Sequence, residues 1–149
     1  VNQNLPESKG TIHIKSDNPE EYPSIKYNFL SSQLDRDTLV AGVKLIRKLM
    51  QSEAMKEFCD TEIQPGYDFS SDEDIMQFIR NKAETLYHPT GTCKMGFDQE
   101  SVVDKNLKVH GIKGLRIADA SIMPTLVSGN TNAVCMMIGE RCADFILNN

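Results

Sequence analysis

The chain has 149 residues, of which 40% are hydrophobic and 25% are charged, and this composition is typical of a soluble globular domain able to bury its own core. The net charge of −5 comes from scattered acidic residues, which argues against nucleic-acid binding, since that requires a basic stripe facing the phosphates. No apolar run approaches the roughly 18 residues of a membrane-spanning helix.

The first elements are predicted from hydrophobic spacing. Polar and apolar residues alternate over 11–15 and again over 24–29, which predicts two neighbouring antiparallel strands. From about residue 37 the apolar residues recur at helical spacing, and Asp35 or Asp37 is available as the N-cap. We therefore expect a hairpin followed by an amphipathic helix.

A second helix is predicted after the breaker 64–66. Ser70 and Glu73 have the spacing of a capping box, in which the two side chains satisfy each other's backbone donors. Apolar residues continue the helical pattern to Leu86, and Pro89 disfavours helical geometry at His88. His88 is thus expected where a helix ends and a loop begins.

The C-terminal part of the chain is expected to form a strand, a loop and a helix. Residues 115–119 are typical of a short buried strand. Apolar residues then recur at helical spacing in a stripe made of Val134, Met137, Ile138, Cys142, Phe145 and Ile146.

The cysteines show no metal-binding pattern, because they form no C-x-x-C pair and have no ligand spacing with the histidines. Cys135 and Cys142 lie two helical turns apart, about 10 Å, which is too far for a disulfide. We expect each cysteine to be a small buried apolar residue; the set is Cys59, Cys93, Cys135 and Cys142.

Three motifs are the most informative part of the chain. Residues 87–96 read Y-H-P-T-G-T-C-K-M-G, residues 114–124 read G-L-R-I-A-D-A-S-I-M-P, and residues 128–133 read S-G-N-T-N-A. In this order and spacing they resemble the C-terminal half of a flavin-dependent alcohol oxidoreductase of the glucose-methanol-choline (GMC) family. The residues of these motifs are similar to those of the family's insect glucose-dehydrogenase-like branch.

The resemblance implies an α+β fold in two parts. Residues 8–103 would form an antiparallel-sheet substrate domain with helices, including the active-site loop. Residues 104–149 would be a strand-loop-helix segment that completes the FAD-binding domain. The family's G-x-G-x-x-G fingerprint is missing and the chain begins with Val1, so we expect a piece of a larger enzyme that is inactive without the main FAD-binding part.

His88 is the candidate general base. Oxidation of an alcohol by hydride transfer requires the hydroxyl proton to leave, and an imidazole is well suited to accept it near neutral pH. A histidine beside a proline is more often a loop or packing residue, but the resemblance implies that His88 is the active-site histidine of the family.

Asn130 is the second candidate catalytic residue, at a position where the resemblance implies either histidine or asparagine. An amide can donate to and accept from the substrate oxygen, but it cannot take up a proton at neutral pH. The alternative role of Asn130 is a helix N-cap.

The candidate cofactor-binding residues follow from the same resemblance. Thr131 and Asn132 open the last helix, where free N–H groups and the dipole favour negative charge, and the resemblance places them at the pyrimidine end of the flavin. Asp119 and Ala120 resemble the segment beside the ribityl-diphosphate, although an Asp-Ala pair can also be a simple turn. The set implied for FAD is Tyr87, His88, Asp119, Ala120, Thr131 and Asn132.

The partners implied are a small alcohol, the missing FAD domain, and oxygen or a quinone as electron acceptor. Two alternatives remain open at this point. One is a hydroxynitrile-lyase-like activity that uses the same histidine, and the other is a truncated, non-catalytic module that binds no flavin.

Overall fold

The computed structural model describes residues 1–148. Over this range the chain forms two strands, three α-helices and one 3-10 helix; they are β1 (Thr11–His13), β2 (Ser24–Lys26), α1 (Gln33–Met50), α2 (Asp72–Lys82), the 3-10 helix (Ala120–Ile122) and α3 (Asn132–Leu147). The chain divides into two compact units. The first unit comprises Val1–Gly10 and Ile25–Thr85, and the second comprises Thr11–Ser24 and the chain from Leu86 onwards.

The predicted hairpin is present as a small antiparallel sheet in which β1 pairs with β2. Each strand has three residues, so both are shorter than the predicted ranges 11–15 and 24–29. Asn28 adopts a left-handed backbone with φ of 54°, a conformation that ends the extended geometry of β2.

Helix α1 begins earlier than predicted, with Ser32 as its N-cap, so the assignment of the cap to Asp35 or Asp37 was wrong. Asp35 instead lies in the first turn, only 3% exposed, and accepts hydrogen bonds from the N–H groups of Glu7 (2.9 Å) and Ser8 (2.8 Å) and from the Ser8 hydroxyl. Burial raises the pKa of Asp35, but these hydrogen bonds outweigh it and hold the pKa below its ordinary value. Asp35 therefore ties the N-terminal segment to α1.

Helix α2 has the predicted capping box one residue later than expected. Ser71, not Ser70, is the N-cap, and its partner is Asp74 rather than Glu73. The helix ends at Lys82 instead of continuing to Leu86. Leu86 is 56% exposed, so no burial of this side chain favours another helical turn.

The core of the first unit is the contact between α1 and α2. Val40, Ile75 and Ile79 are buried there. Arg47 of α1 adds a polar clamp, since it forms an ion pair with Glu62 at 2.7 Å and donates to the carbonyl oxygen of Phe69 at 2.8 Å. These contacts hold the irregular segment between the two helices against α1.

The core of the second unit is formed by α3 and the irregular segments before it, and its buried members are Val103, Leu107, Ile122, Met123, Ile138 and Cys142. The predicted strand 115–119 was wrong, because its pairing is an isolated bridge between Lys108 and Arg116 and Leu115 is exposed. Two backbone hydrogen bonds flank this bridge, from the N–H of Val109 to the carbonyl oxygen of Leu115 and from the N–H of Ile117 to that of Leu107, but they do not extend into a regular strand ladder. The guanidinium of Arg116 also donates to the carbonyl oxygens of Asn106 and Phe145.

The predicted last helix is confirmed as α3, but its stripe is only partly buried. Ile138 and Cys142 are buried, whereas Met137 and Ile146 are exposed. The four cysteines are all free, and Cys142 alone of them is buried; the expectation that all four are buried was wrong. Within residues 1–148, no helix combines the length and apolar character needed to cross a bilayer. The expected boundary between residues 103 and 104 stays a prediction.

Candidate active site

Every residue predicted to act on substrate or cofactor belongs to the second unit. The residues lie on three segments, namely the loop 87–96, the start of the 3-10 helix and the start of α3; they are Tyr87, His88, Asp119, Ala120, Asn130, Thr131 and Asn132. The candidate site therefore lies within one compact unit.

The loop 87–96 is fixed against the 3-10 helix by backbone contacts. The N–H of Cys93 donates to the carbonyl oxygen of Ser121 at 2.9 Å, and the N–H of Met95 donates to that of Ile122 at 2.8 Å. Gly91 has φ of 85°, and a Cβ there would lie 3.3 Å from the carbonyl oxygen of Met123. Glycine is favoured at this position, because other residues are strained in the left-handed region and a Cβ would crowd this carbonyl oxygen.

Tyr87 places the chain in an unusual conformation immediately before His88. Its φ is 59°, and a left-handed backbone costs a residue other than glycine about 1 to 3 kcal/mol. Its side chain is 78% exposed, so burial of the ring does not explain the conformation. Strained backbone of this kind clusters at functional sites, and here it lies directly before the candidate base His88.

His88 meets the start of α3. Its ring Nδ1 lies 3.3 Å from the Oγ1 of Thr131, a residue 43 positions further along the chain. This is at the long end of hydrogen-bond distances. Thr131 is buried, with 8% of its surface exposed, and the contact as a whole is partly buried. With Nδ1 held in this way, Nε2 is the nitrogen available for proton exchange with a ligand.

Asn130 and Asn132 flank the threonine that contacts His88, and both are exposed. The N-cap of α3 is Thr131 and the first helical residue is Asn132. The alternative role of Asn130 as the N-cap is therefore wrong, whereas its catalytic role stays a prediction. Asn130 is thus an exposed amide directly before the residue that contacts His88.

Asp119 and Ala120 have a local structural role. The Asp119 carboxylate caps the 3-10 helix by accepting a hydrogen bond from the N–H of Ser121 at 2.7 Å. Ala120 packs against the buried core of the second unit. The segment is thus a capped 3-10 helix, and contact with a cofactor stays a prediction for both residues.

The role that sequence reasoning missed is that of the Thr131 side chain, which was assigned only a backbone contribution at the helix start. One signal was available, because an N-cap threonine carries a hydroxyl that can bond outside its own helix. For metals, residues 1–148 contain no group of three or more His, Cys, Asp or Glu side chains arranged to hold an ion.

Comparisons with known proteins support the family resemblance of the three sequence motifs. The family model described as GMC oxidoreductase matches residues 6–139. The oxygen-dependent choline dehydrogenase of Escherichia coli is 45% identical over 139 residues, which is 93% of this chain and 25% of the relative.

Two solved structures of oxidoreductases are also similar to this chain. Pyridoxine 4-oxidase from Mesorbium loti has a TM-score of 0.90 and 29% identity, covering 98% of this chain and 28% of the neighbour. An FAD-dependent oxidoreductase from Chaetomium thermophilum has a TM-score of 0.90 and 31% identity, covering 97% and 25%. The chain thus spans about a quarter of the length of these proteins. It belongs to the GMC oxidoreductases, a family of FAD-dependent flavoproteins, and corresponds to their C-terminal region.

Proposed function

We propose that the intact protein oxidises the CH–OH group of a small alcohol with FAD as cofactor, and that His88 is the general base. The observation that carries the proposal is the 3.3 Å contact between His88 Nδ1 and Thr131 Oγ1. It joins the residue proposed to move the proton to the helix start proposed to meet the flavin. This contact between two segments that are distant in sequence supports their assignment to one site.

The residues at the start of α3 fit an electron-rich flavin ring. Within the described residues, no side chain caps the first turn of this 16-residue helix, and the turn contains no acidic residue. The positive end of the helix dipole and the first N–H groups are thus available to an anionic ligand. Gly129 has φ of 150°, and a Cβ there would meet nothing within 4 Å, so the approach to the turn is open.

FAD, when bound, supplies the acceptor for the hydride that leaves the alcohol carbon. The protein's own contribution is to remove the hydroxyl proton and to orient the alcohol. In this proposal Nε2 of His88 accepts the proton, a step that contributes roughly 10² to 10⁴ in rate. The Asn130 amide donates a hydrogen bond to the same oxygen, where negative charge develops as the proton leaves.

For the substrate we propose a small primary alcohol, with choline and pyridoxine as the first compounds to test. The names of two similar proteins, a choline dehydrogenase and a pyridoxine 4-oxidase, supply these choices. For the electron acceptor we propose oxygen or a quinone. Oxygen is tested first because the Escherichia coli relative is named as oxygen-dependent.

The proposal is tested on the intact protein purified with its cofactor. A yellow preparation with flavin absorbance is expected, and anaerobic addition of the correct alcohol should bleach that absorbance. The His88→Ala variant should remain yellow but bleach far more slowly, whereas His13→Ala, a change on the exposed strand β1, should behave like the wild type. A colourless protein, or a flavin that no alcohol reduces, would contradict the proposed function.

A further inference from the structure

The side chain of Thr131 is used in an unusual way for an N-cap residue. Threonine commonly caps a helix by accepting a hydrogen bond from an N–H group in the first turn. Among the described residues no such bond forms at Thr131, whose backbone is helical with φ of −79° and ψ of −13°. Its hydroxyl lies instead 3.3 Å from the imidazole of His88. Thr131 therefore lacks the usual capping hydrogen bond, and its hydroxyl contacts the proposed base instead.

The direction of this hydrogen bond determines which nitrogen of His88 can act. A hydroxyl can donate or accept, and a neutral imidazole carries its proton on one nitrogen only. If Thr131 donates to Nδ1, the proton of His88 lies on Nε2, and that nitrogen cannot accept another. If Nδ1–H donates to Oγ1, Nε2 is unprotonated and can take the proton of an alcohol.

We propose that Thr131 is a positioning residue that keeps His88 in the tautomer with the proton on Nδ1, so that Nε2 is the basic nitrogen. The proposal rests on the proposed function, in which His88 is the base. It adds a role for the Thr131 hydroxyl beyond the cofactor contact that the resemblance implies for this residue. The hydroxyl acts through the imidazole by selecting its tautomer and its ring orientation.

The same hydrogen bond remains intact when His88 accepts a proton. An imidazolium donates from both nitrogens, so Nδ1–H continues to donate to Oγ1 and no group has to rotate during the step. Burial of Thr131, which is 8% exposed, limits competition from water for the same acceptor. The branched Cβ of threonine further restricts its side-chain rotation, so the oxygen is held in one direction.

The first test reads the tautomer directly in the resting intact protein. With ¹⁵N-labelled histidine, the chemical shifts of the two ring nitrogens show which one is protonated, and the His88 signals are assigned by their loss in His88→Ala. The wild type should show the proton on Nδ1. A wild-type His88 with its proton on Nε2 would overturn the proposal, whether or not the protein oxidises an alcohol.

The second test uses variants at position 131. Thr131→Val retains the shape of the side chain but removes the oxygen, so it should shift His88 toward the Nε2-protonated tautomer. It should also lower kcat about tenfold with little change in KM, the fold-change that corresponds to one hydrogen bond of about 1.4 kcal/mol. Thr131→Ser should restore the wild-type tautomer and most of kcat.

Thr125→Val is the matched control, because Thr125 is an exposed threonine in the same unit. It should change neither the tautomer nor kcat. If Thr131→Val loses flavin or fails to fold, the wild-type and Thr131→Ser spectra still decide the matter. An unchanged tautomer in a folded Thr131→Val protein would overturn the role of the hydroxyl. A His88→Ala protein with normal turnover would instead overturn the proposed function itself.

Discussion

The starts of α2 and α3 use similar capping residues for different purposes. At α2, the Ser71 hydroxyl accepts from the N–H of Asp74 at 3.1 Å, and the Asp74 carboxylate accepts from the N–H of Ser71 at 3.2 Å. At α3, the hydroxyl of Thr131 meets His88. The capping box stabilises the start of α2, whereas no side chain caps the start of α3 within the described residues.

The backbone of the capping residue explains the difference. Ser71 is extended, with φ of −77° and ψ of 162°, which directs its hydroxyl back toward the first turn. Thr131 is helical, so its hydroxyl is directed elsewhere. The two helix starts also differ in their acidic residues. The first turn of α2 contains three acidic residues that offset the dipole, whereas none occurs in the first turn of α3.

The largest effect is expected at the residue that the start of α3 contacts. Replacement of His88 by alanine in the intact protein should lower turnover by about 10² to 10⁴, or roughly 3 to 5 kcal/mol in activation free energy. FAD should remain bound, because the imidazole serves proton transfer more than cofactor binding. Steady-state kinetics and the flavin-to-protein ratio provide the measurement, with His13→Ala as the control. Near-normal turnover would exclude His88 as the base.

A smaller loss is expected for Asn130→Ala. A hydrogen bond to a charged or polarised group is worth roughly 1.5 to 3 kcal/mol, so kcat/KM should fall about 10- to 100-fold. Hydrogen–deuterium exchange of α3 should not change, because Thr131 rather than Asn130 is the N-cap. If the variant altered only the exchange of α3, Asn130 would have a structural role and no catalytic one.

At the start of α2, Ser71→Ala should affect stability and not activity. Loss of an N-cap costs about 1 kcal/mol, so amide exchange in α2 should accelerate roughly fivefold while turnover stays constant. Ser70→Ala is the control, because Ser70 is the neighbouring serine that does not cap the helix. Equal effects of the two variants would show that Ser71 is not the residue that caps α2.

The smallest effect concerns pH. Hydrogen bonds from the Ser71 side chain and backbone lower the pKa of Asp74 below its ordinary value of 3.8. Because the folded pKa is depressed, the stabilisation is fully present above pH 3.8 and is lost as the pH falls through the lower folded value. Exchange of α2 measured below pH 5 should therefore be less pH-dependent in Ser71→Ala than in the wild type. Identical pH profiles would contradict this coupling.

The helices could be predicted from the sequence because hydrophobic spacing extends over many residues. Their ends were less predictable, since Ser70 and Ser71 are both serines and a capping box can be drawn from either. Asp35 was assigned to a cap because its actual partners, Glu7 and Ser8, lie 28 and 27 residues away. Long-range contacts of this kind leave no local pattern in a single sequence.

The candidate site could likewise be predicted only in part. The motif blocks identified His88 and the start of α3, and the structure then brought His88 and Thr131 together. The use of the Thr131 hydroxyl was missed, because threonine at a helix start ordinarily indicates a local cap. The segment 115–119 was predicted as a strand from its apolar residues, yet Arg116 bonds through its side chain to the carbonyl oxygens of Asn106 and Phe145.

The most direct test of the central claim is the rate of flavin reduction in the intact His88→Ala protein, followed anaerobically by stopped flow with and without added imidazole. The account predicts that reduction by the alcohol is about 10² to 10⁴ slower than in the wild type, and that imidazole in solution restores part of the rate by replacing the missing base. Flavin reduction at the wild-type rate without imidazole would contradict the assignment of His88 as the proton acceptor.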